Sequence, residues 1–365
     1  MSAPGFLKSL LPYEMRRYLR DQLVRFQVKH VCGPDGVELA EDETVVTTVE
    51  KNGEYYIEDF IQHYTRLGVR HIFILDNCST DNTVAIASKH DNVTIWQSSL
   101  CVGSYQGLLQ RFLLRGIKSR GWCINADIDE LFDFPWSTAI SLQLFLRYLN
   151  GRNYTAAVSQ LLDMFADKPL SYLHEMKVES PADTYRLYDL SDILRVPYHE
   201  GQVTRTYGGT NLVSNQRTEL FYGGIRKSLY GSEWYTNCLL TKHSLFRLNS
   251  GLHLFRHVHF VDRARLADVS CVMRHYKLAS NVIKTATQNR VNLHGVSKGY
   301  DALLRFVLEN PGFELKRITS AEWQDANRLV EAGFLFASDE YRDYVEANSP
   351  ASQDSRAHDE YRMLA

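Results

Sequence analysis

Apolar and polar positions along this chain fall into short blocks, each with a readable period. Thr44-Val45-Val46-Thr47-Thr48-Val49 is a β-branched run and predicts a strand. Beyond it, Tyr56, Phe60, Tyr64 and Leu67 recur at helical spacing up to Gly68, a natural helix terminator. His71-Ile72-Phe73-Ile74-Leu75 predicts a second strand, Thr83 to Lys89 a short helix, and Val93-Thr94-Ile95-Trp96 a third strand. Ser104 to Ile117 reads as a helix with Leu108, Leu109, Phe112 and Leu113 on its buried side. Trp122-Cys123-Ile124-Asn125-Ala126 is a fourth strand. Strand and helix alternate across connections too long for hairpins. The expected fold class is therefore α/β, a mostly parallel central sheet flanked by helices with right-handed crossovers.

The flanks are less regular. Residues 1 to about 30 predict a basic amphipathic helix, in which Phe6, Leu7, Leu10, Leu11, Leu19, Leu23 and Phe26 are interleaved with lysines and arginines. Such a helix either packs on the domain with a solvated basic face or lies on an anionic membrane surface. Gly33-Pro34-Asp35-Gly36 is a turn cluster. In the second half, Ala156 to Ser159, Leu239 to Leu248 and Val269 to Met273 predict strands. Tyr172 to Gly201 reads as mixed and loop-rich. Val282 to Leu293, Asp301 to Leu308 and Ala321 to Tyr341 predict helices, and the polar stretch after Asn348 a frayed tail. This half is expected to be mixed α+β.

Composition narrows the function classes. Forty-one basic against forty-three acidic side chains leave a net charge of −2, so no basic excess points to nucleic acid. No apolar run approaches the roughly 18 residues of a bilayer span, and no secretory signal is apparent. The six cysteines form no Cys-x-x-Cys pair, which argues against a disulfide framework and for a reducing, cytoplasmic setting.

Ligands of open α/β sheets sit at the carboxyl ends of the strands. Here those ends carry Glu50-Lys51-Asn52, Asp76-Asn77 and Asp127-Ile128-Asp129. If the last segment is extended, Asp127 and Asp129 project to one side. Two carboxylates facing one cleft suit a hard cation, Mg²⁺ or Mn²⁺, which also binds diphosphate oxygens. Asp76 either accepts hydrogen bonds from a nucleobase or ribose, or caps the following turn. Lys51 either meets phosphate or solvates the edge. His253, His257 and His259 lack the spacing of a zinc site, and His253 is a candidate to face a donor.

Taken in order, Val49-Glu50-Lys51-Asn52-Gly53-Glu54, Gly68 to Thr83, Gln106, Trp122, and Asp127-Ile128-Asp129-Glu130-Leu131-Phe132 resemble the family-2-like glycosyltransferases of GT-A fold, in the branch with an Asp-x-Asp-Glu metal motif. One departure is Gly53, which stands where that family more often continues from Lys-Asn directly to Glu. The resemblance implies a metal-dependent transfer of a monosaccharide from a nucleotide-diphosphate sugar to a glycan, lipid or other hydroxyl acceptor, with inversion. It implies that Asp127 and Asp129 hold Mn²⁺ or Mg²⁺, with His275 completing the shell, and that Lys51, Asp76, Gln106 and Asp127 contact the donor. Arg226 and Lys242 look like the basic segments such enzymes place near donor or acceptor. Glu233, in a glycine-flanked loop beside Trp234, is the expected general base, with Glu219, Glu200 and Asp262 as rivals. On this reading residues 1–43 are an N-terminal extension, 44–165 the nucleotide-sugar half, 166–345 the acceptor half of the same domain, and 346–365 a flexible tail. Two alternatives stay open: nucleotidyl transfer, though the first strand lacks a glycine-rich phosphate loop, and a non-catalytic carbohydrate-binding scaffold.

Overall fold

The strand-forming runs recur in the computed structural model, which describes residues 12–118, 120–169, 180–230, 238–279 and 297–350. The expected helix over 282–293 and the general-base candidate Glu233 lie outside the described residues. The first strands are β1 (Lys29–Cys32), β2 (Thr44–Glu50), β3 (His71–Asp76), β4 (Val93–Gln97), β5 (Trp122–Asn125), β6 (Glu130–Asp133) and β7 (Ala156–Asp163). There follow β8 (Leu187–Tyr188), β9 (Ile193–Pro197), β10 (Leu212–Val213), β11 (Glu219–Gly223) and β12 (Thr241–Arg247). β13 (His253–His257), β14 (Phe260–Asp262), β15 (Arg265–Leu266) and β16 (Cys271–His275) complete the set used below. Five helices matter most: α1 (Tyr13–Gln27), α2 (Ile57–Leu67), α3 (Thr83–Ala87), α4 (Val102–Leu113) and α5 (Leu142–Gly151).

Among the described residues eleven strands join in one sheet, in the order β1-β4-β3-β2-β5-β12-β7-β15-β10, with β16 beside β7 and β6 beside β16. β4, β3, β2 and β5 run parallel. β12 is antiparallel to both of its neighbours, β5 and β7. β2 and β3 are buried along nearly their whole length, as parallel strands covered on both faces must be. Their side chains alternate between two cores. Val46, Ile72 and Ile74 meet Phe60, Ile61 and Tyr64 of α2 on one face. Val45, Phe73 and Leu75 meet Leu109 and Leu113 of α4 on the other. α2 stops at Gly68, whose φ of 92° a side-chain-bearing residue rarely adopts.

Several expectations are corrected. The single helix expected over 321–341 is two, Ala326–Glu331 and Asp339–Asn348, because Asp325 and Ser338 each cap a start and Gly333 turns left-handed between them. The second helix carries regular structure through Asn348, into the stretch expected to be tail. β1, a short edge strand paired antiparallel to β4, extends the sheet into the expected N-terminal extension. The stretch read as loop-rich after Tyr172 includes β9, which forms a hairpin-like pair with β11. Among the described residues no helix is long and apolar enough to cross a membrane.

Candidate functional site

The acidic segment is a turn, and its geometry overturns the extended reading. Glu130 N–H donates to the Asp127 carbonyl at 3.0 Å, closing a tight turn over Asp127–Glu130. Within this turn the two aspartates have different nearest partners. The Asp127 carboxylate leans toward Lys242 Nζ at 3.7 Å, and that of Asp129 toward His275 Nε2 at 3.5 Å. Glu130, which sequence reasoning passed over, is the buried keystone. One of its oxygens accepts from Asp127 N–H at 2.8 Å and from Lys242 Nζ at 2.7 Å. Tyr64 reaches up from α2, donating to the Glu130 carbonyl and accepting from Phe132 N–H. Lys242 is therefore a buried counter-ion beneath the turn, rather than a cation reaching out to donor. Burial alone would lower its ammonium, but Asp127 and Glu130 raise it. Burial raises the Glu130 carboxyl above the ordinary range, against the pull of Lys242.

β16 brings His275 to this turn by register. It pairs antiparallel with β6, setting His275 opposite Glu130, and parallel with β7, setting His275 opposite Asp163. Tyr276 N–H donates to the Asp129 carbonyl at 2.8 Å and locks the alignment. Asp163 contacts His275 Nδ1 at 2.8 Å and takes both forks of Arg226 at 2.6 and 2.7 Å. All three are buried. Arg226 Nη2 also meets His275 Nδ1 at 2.7 Å, so the guanidinium holds both the carboxylate and the imidazole, where sequence alone suggested a contact to donor or acceptor. Arg226 also pulls the Asp163 carboxyl down, although burial by itself would raise it. Burial would depress His275, but Asp129 and Asp163 lift it to about 9. Burial would likewise raise Asp129, but His275 and Lys277 draw it down to about 2.

The sign of the resulting pH dependence follows from the raised imidazole. Its contribution to stability is full below the ordinary value of 6.5 and is lost as pH rises through about 9. The melting temperature of metal-free protein is expected to decline across that window, and His275→Gln to flatten the decline. Equal slopes in the two proteins would exclude His275 as the titrating group.

The second strand end is more enclosed. Asp76 is fully buried, with its carboxylate accepting from Ser79 N–H and from Gln97 Nε2 at 2.7 Å. Its turn-stabilising role is the one realised here, and the loop after it covers the oxygens expected to meet a base. Glu50 lies opposite Asp76 in the β2–β3 register, and its Oε2 is buried with no hydrogen-bond partner. Burial and the charge of Asp76 hold the Glu50 carboxyl well above the usual range. A Cβ on Gly53 would meet that Oε2 at 2.8 Å, so the inserted glycine allows the chain to pass close to this carboxyl. Glu54 accepts from Asn82 at 2.7 Å, and the Asn52 carboxamide accepts from Thr80 N–H at 2.8 Å. The two strand-end loops are thereby tied together. Lys51 is exposed at the rim, and Gln106 is half-buried on α4.

Glu219 faces Arg195 at 3.6 Å, Glu200 is exposed, and Asp262 is buried, accepting from Thr210. His253 stands across the β13–β14 pair from Asp262. His243, unremarked in the sequence, is buried against the Tyr198 hydroxyl at 3.1 Å, and burial holds its imidazole near 3. A cavity of about 530 Å³ lined by Tyr18, Arg111, Leu114 and Leu248 lies at the amino-terminal pole of the parallel strands, away from the acidic turn.

Among the described residues no three His, Cys, Asp or Glu side chains form a ready-made metal cage. What does converge is a pair, Asp129 with His275, and the imidazole has a carboxylate on its other nitrogen. That support is usual for a metal-ligating histidine. Mg²⁺ and Mn²⁺ commonly take few protein ligands and fill the rest with water and phosphate oxygens, so the residues present fit such an ion.

No family model matches the chain, and no curated protein matches it. Among solved structures the chain is similar to the crystal structure of S. aureus TarS, at 13% identity over 74% of this chain and 44% of that one, with a TM-score of 0.29. The chain thus spans less than half the length of that protein. So loose a superposition leaves the functional argument to the site itself.

Proposed function

We propose that this chain is a divalent-ion-dependent glycosyltransferase, moving a monosaccharide from a nucleotide-diphosphate sugar to a hydroxyl acceptor with inversion. The observation that carries the reading is the line Asp163–His275–Asp129 at the carboxyl pole of the parallel strands. Asp129 and His275 would hold Mn²⁺ or Mg²⁺, with the half-exposed Asp127 beside them. When bound, the ion would supply charge neutralisation for a departing nucleoside diphosphate.

The chain's own groups do the rest. With an ion bound, His275 would give up its Nε2 proton and Asp163 would accept from Nδ1–H, leaving the Nε2 lone pair for the ion beside Asp129. Arg226 fixes Asp163, and Lys242 with Glu130 fixes the turn on which both aspartates ride. Lys51, exposed just after β2, would meet nucleotide phosphates, and Gln106 would add a second polar contact. Glu233 stays the sequence-based choice to remove the acceptor's proton. Asp76 would reach a nucleobase only through displacement of the Ser79–Asn82 loop.

The test is a thermal-shift screen of nucleoside diphosphates with and without Mn²⁺. A ligand at a hundredfold excess over its Kd stabilises the folded state by about 2.7 kcal/mol, an upward shift of several degrees. The shift is expected to require both ion and diphosphate, and to vanish in Asp129→Ala. A shift with any diphosphate that ignores Mn²⁺, or none at all, would remove the metal-dependent reading. Binding without turnover of any nucleotide sugar would favour the non-catalytic scaffold.

A further inference from the structure

α1 shows its apolar stripe to solvent. Met15, Tyr18, Leu19, Leu23 and Phe26 are all exposed, Phe26 at 83%, and Val31 of the adjoining edge strand is exposed with them. Among the residues of this region whose side chains are described, Val24 and Val28 turn into the core. The inward face is otherwise polar: Asp21 takes Arg115 at 2.8 Å, and Arg20 lies over the Tyr105 ring at 4.6 Å and donates to the Ser104 carbonyl. A helix on a globular domain ordinarily points its apolar side at the core. Here the sides are reversed, and the polar contacts to α4 fix the helix in that orientation.

Charge says what covers this stripe. Residues 12–31 carry Arg16, Arg17, Arg20, Arg25 and Lys29 against Glu14 and Asp21, in a chain whose overall charge is −2. Asp21 is already paired with Arg25 and Arg115. A second copy docking here about a two-fold axis would set the same cations face to face. We propose that α1 and β1 form a docking surface for anionic phospholipid, with the apolar stripe entering the headgroup boundary and the flanking cations meeting lipid phosphates.

The placement has a geometric consequence. α1 ends at Gln27, and β1 begins at Lys29, paired with Gln97 at the carboxyl end of β4. The carboxyl-terminal end of α1, where Phe26 stands, therefore lies at the same pole of the sheet as Asp76 and the acidic turn. A bilayer under this surface would lie beside the site and favour an acceptor held at the membrane. The docking proposal itself stands independently of the proposed transfer reaction.

Flotation of the full chain with vesicles tests it. Vesicles of phosphatidylcholine and phosphatidylglycerol in about a 3:1 ratio are expected to carry the protein, and pure phosphatidylcholine vesicles to leave most of it behind. Raising salt should release it. The double variant L19E/F26E is expected to bind at least about tenfold more weakly. Its melting temperature should match the parent, since both side chains are exposed. Should that variant melt early, L19S/F26S gives the same comparison without added charge. Equal binding to both vesicle types, no binding to either, or undiminished binding of the folded variants would overturn the proposal. So would a lipid-free dimer, seen by sedimentation, that the substitutions abolish.

Discussion

Lys242→Met is expected to destabilise the fold by about 3–5 kcal/mol at neutral pH, the usual cost of leaving one buried charge without its partner. Lys242 and Glu130 show only 2% and 1% of their side chains to solvent, and their contact is 2.7 Å. Methionine fills the stem's volume but supplies no charge, so the loss is electrostatic. Glu130 would then take up a proton more readily when folded than when unfolded. A carboxyl whose folded value is raised is destabilising above that value, and the penalty is relieved as pH falls through it. Denaturant melts of Lys242→Met should therefore approach the parent in acid and diverge from it toward neutrality. The double variant K242M/E130Q should recover much of the loss, because a neutral pair costs less than a broken one. The amide oxygen of the glutamine still accepts from Asp127 N–H. A single variant as stable as the parent at pH 7 would refute the keystone role of this pair.

On the proposed reaction, Asp129→Ala is expected to lower sugar transfer by on the order of 10³-fold, equivalent to about 4 kcal/mol of transition-state stabilisation. The fold should survive, because the Asp129 side chain is 22% exposed and its main-chain contact to Tyr276 does not involve the carboxylate. The variant removes the group facing His275 Nε2, so the imidazole loses its largest stabilising charge and should titrate below the parent's value of about 9. Near neutrality the variant also loses the stability this charge gives the raised imidazole, so a turnover loss in protein shown to be folded, retained above pH 9 where that contribution is gone from the parent too, separates a role in the site from one in the fold. Turnover equal to the parent's, measured with Mn²⁺ and a nucleotide sugar that the parent uses, would remove Asp129 from the mechanism.

The parallel strands of the first half were legible because strands buried on both faces must be apolar without interruption. Val45-Val46 and His71 to Leu75 meet that requirement, and the observed strands differ from the expected ones mainly by one residue at an end. The acidic turn was legible in composition but not in shape, since four residues between β5 and β6 give no periodicity to read. Asp163 and Arg226 were harder. Their pairing spans 63 residues and joins the end of β7 to the short turn that follows β11, which nothing local encodes. Asp163 did carry a faint signal, a carboxylate just after the apolar pair Leu161-Leu162. Gly333 and Ser338 also marked the interruption of the last helical stretch, and helical periodicity on either side concealed it. The direction in which α1 points its stripe cannot be read from periodicity, which fixes that a stripe exists but not what it faces.

β12 sits at the centre of the sheet yet arrives late in the chain. Its neighbours β5 and β7 are complete by Asp163, while β12 itself begins only at Thr241. During synthesis the ribosome therefore releases both flanking strands with open edges and leaves the slot between them empty for several seconds. A nascent chain in that interval is a natural client for a chaperone. A fragment ending near residue 165 would keep the gap permanently, so the two sequence halves cannot be separated as independent pieces.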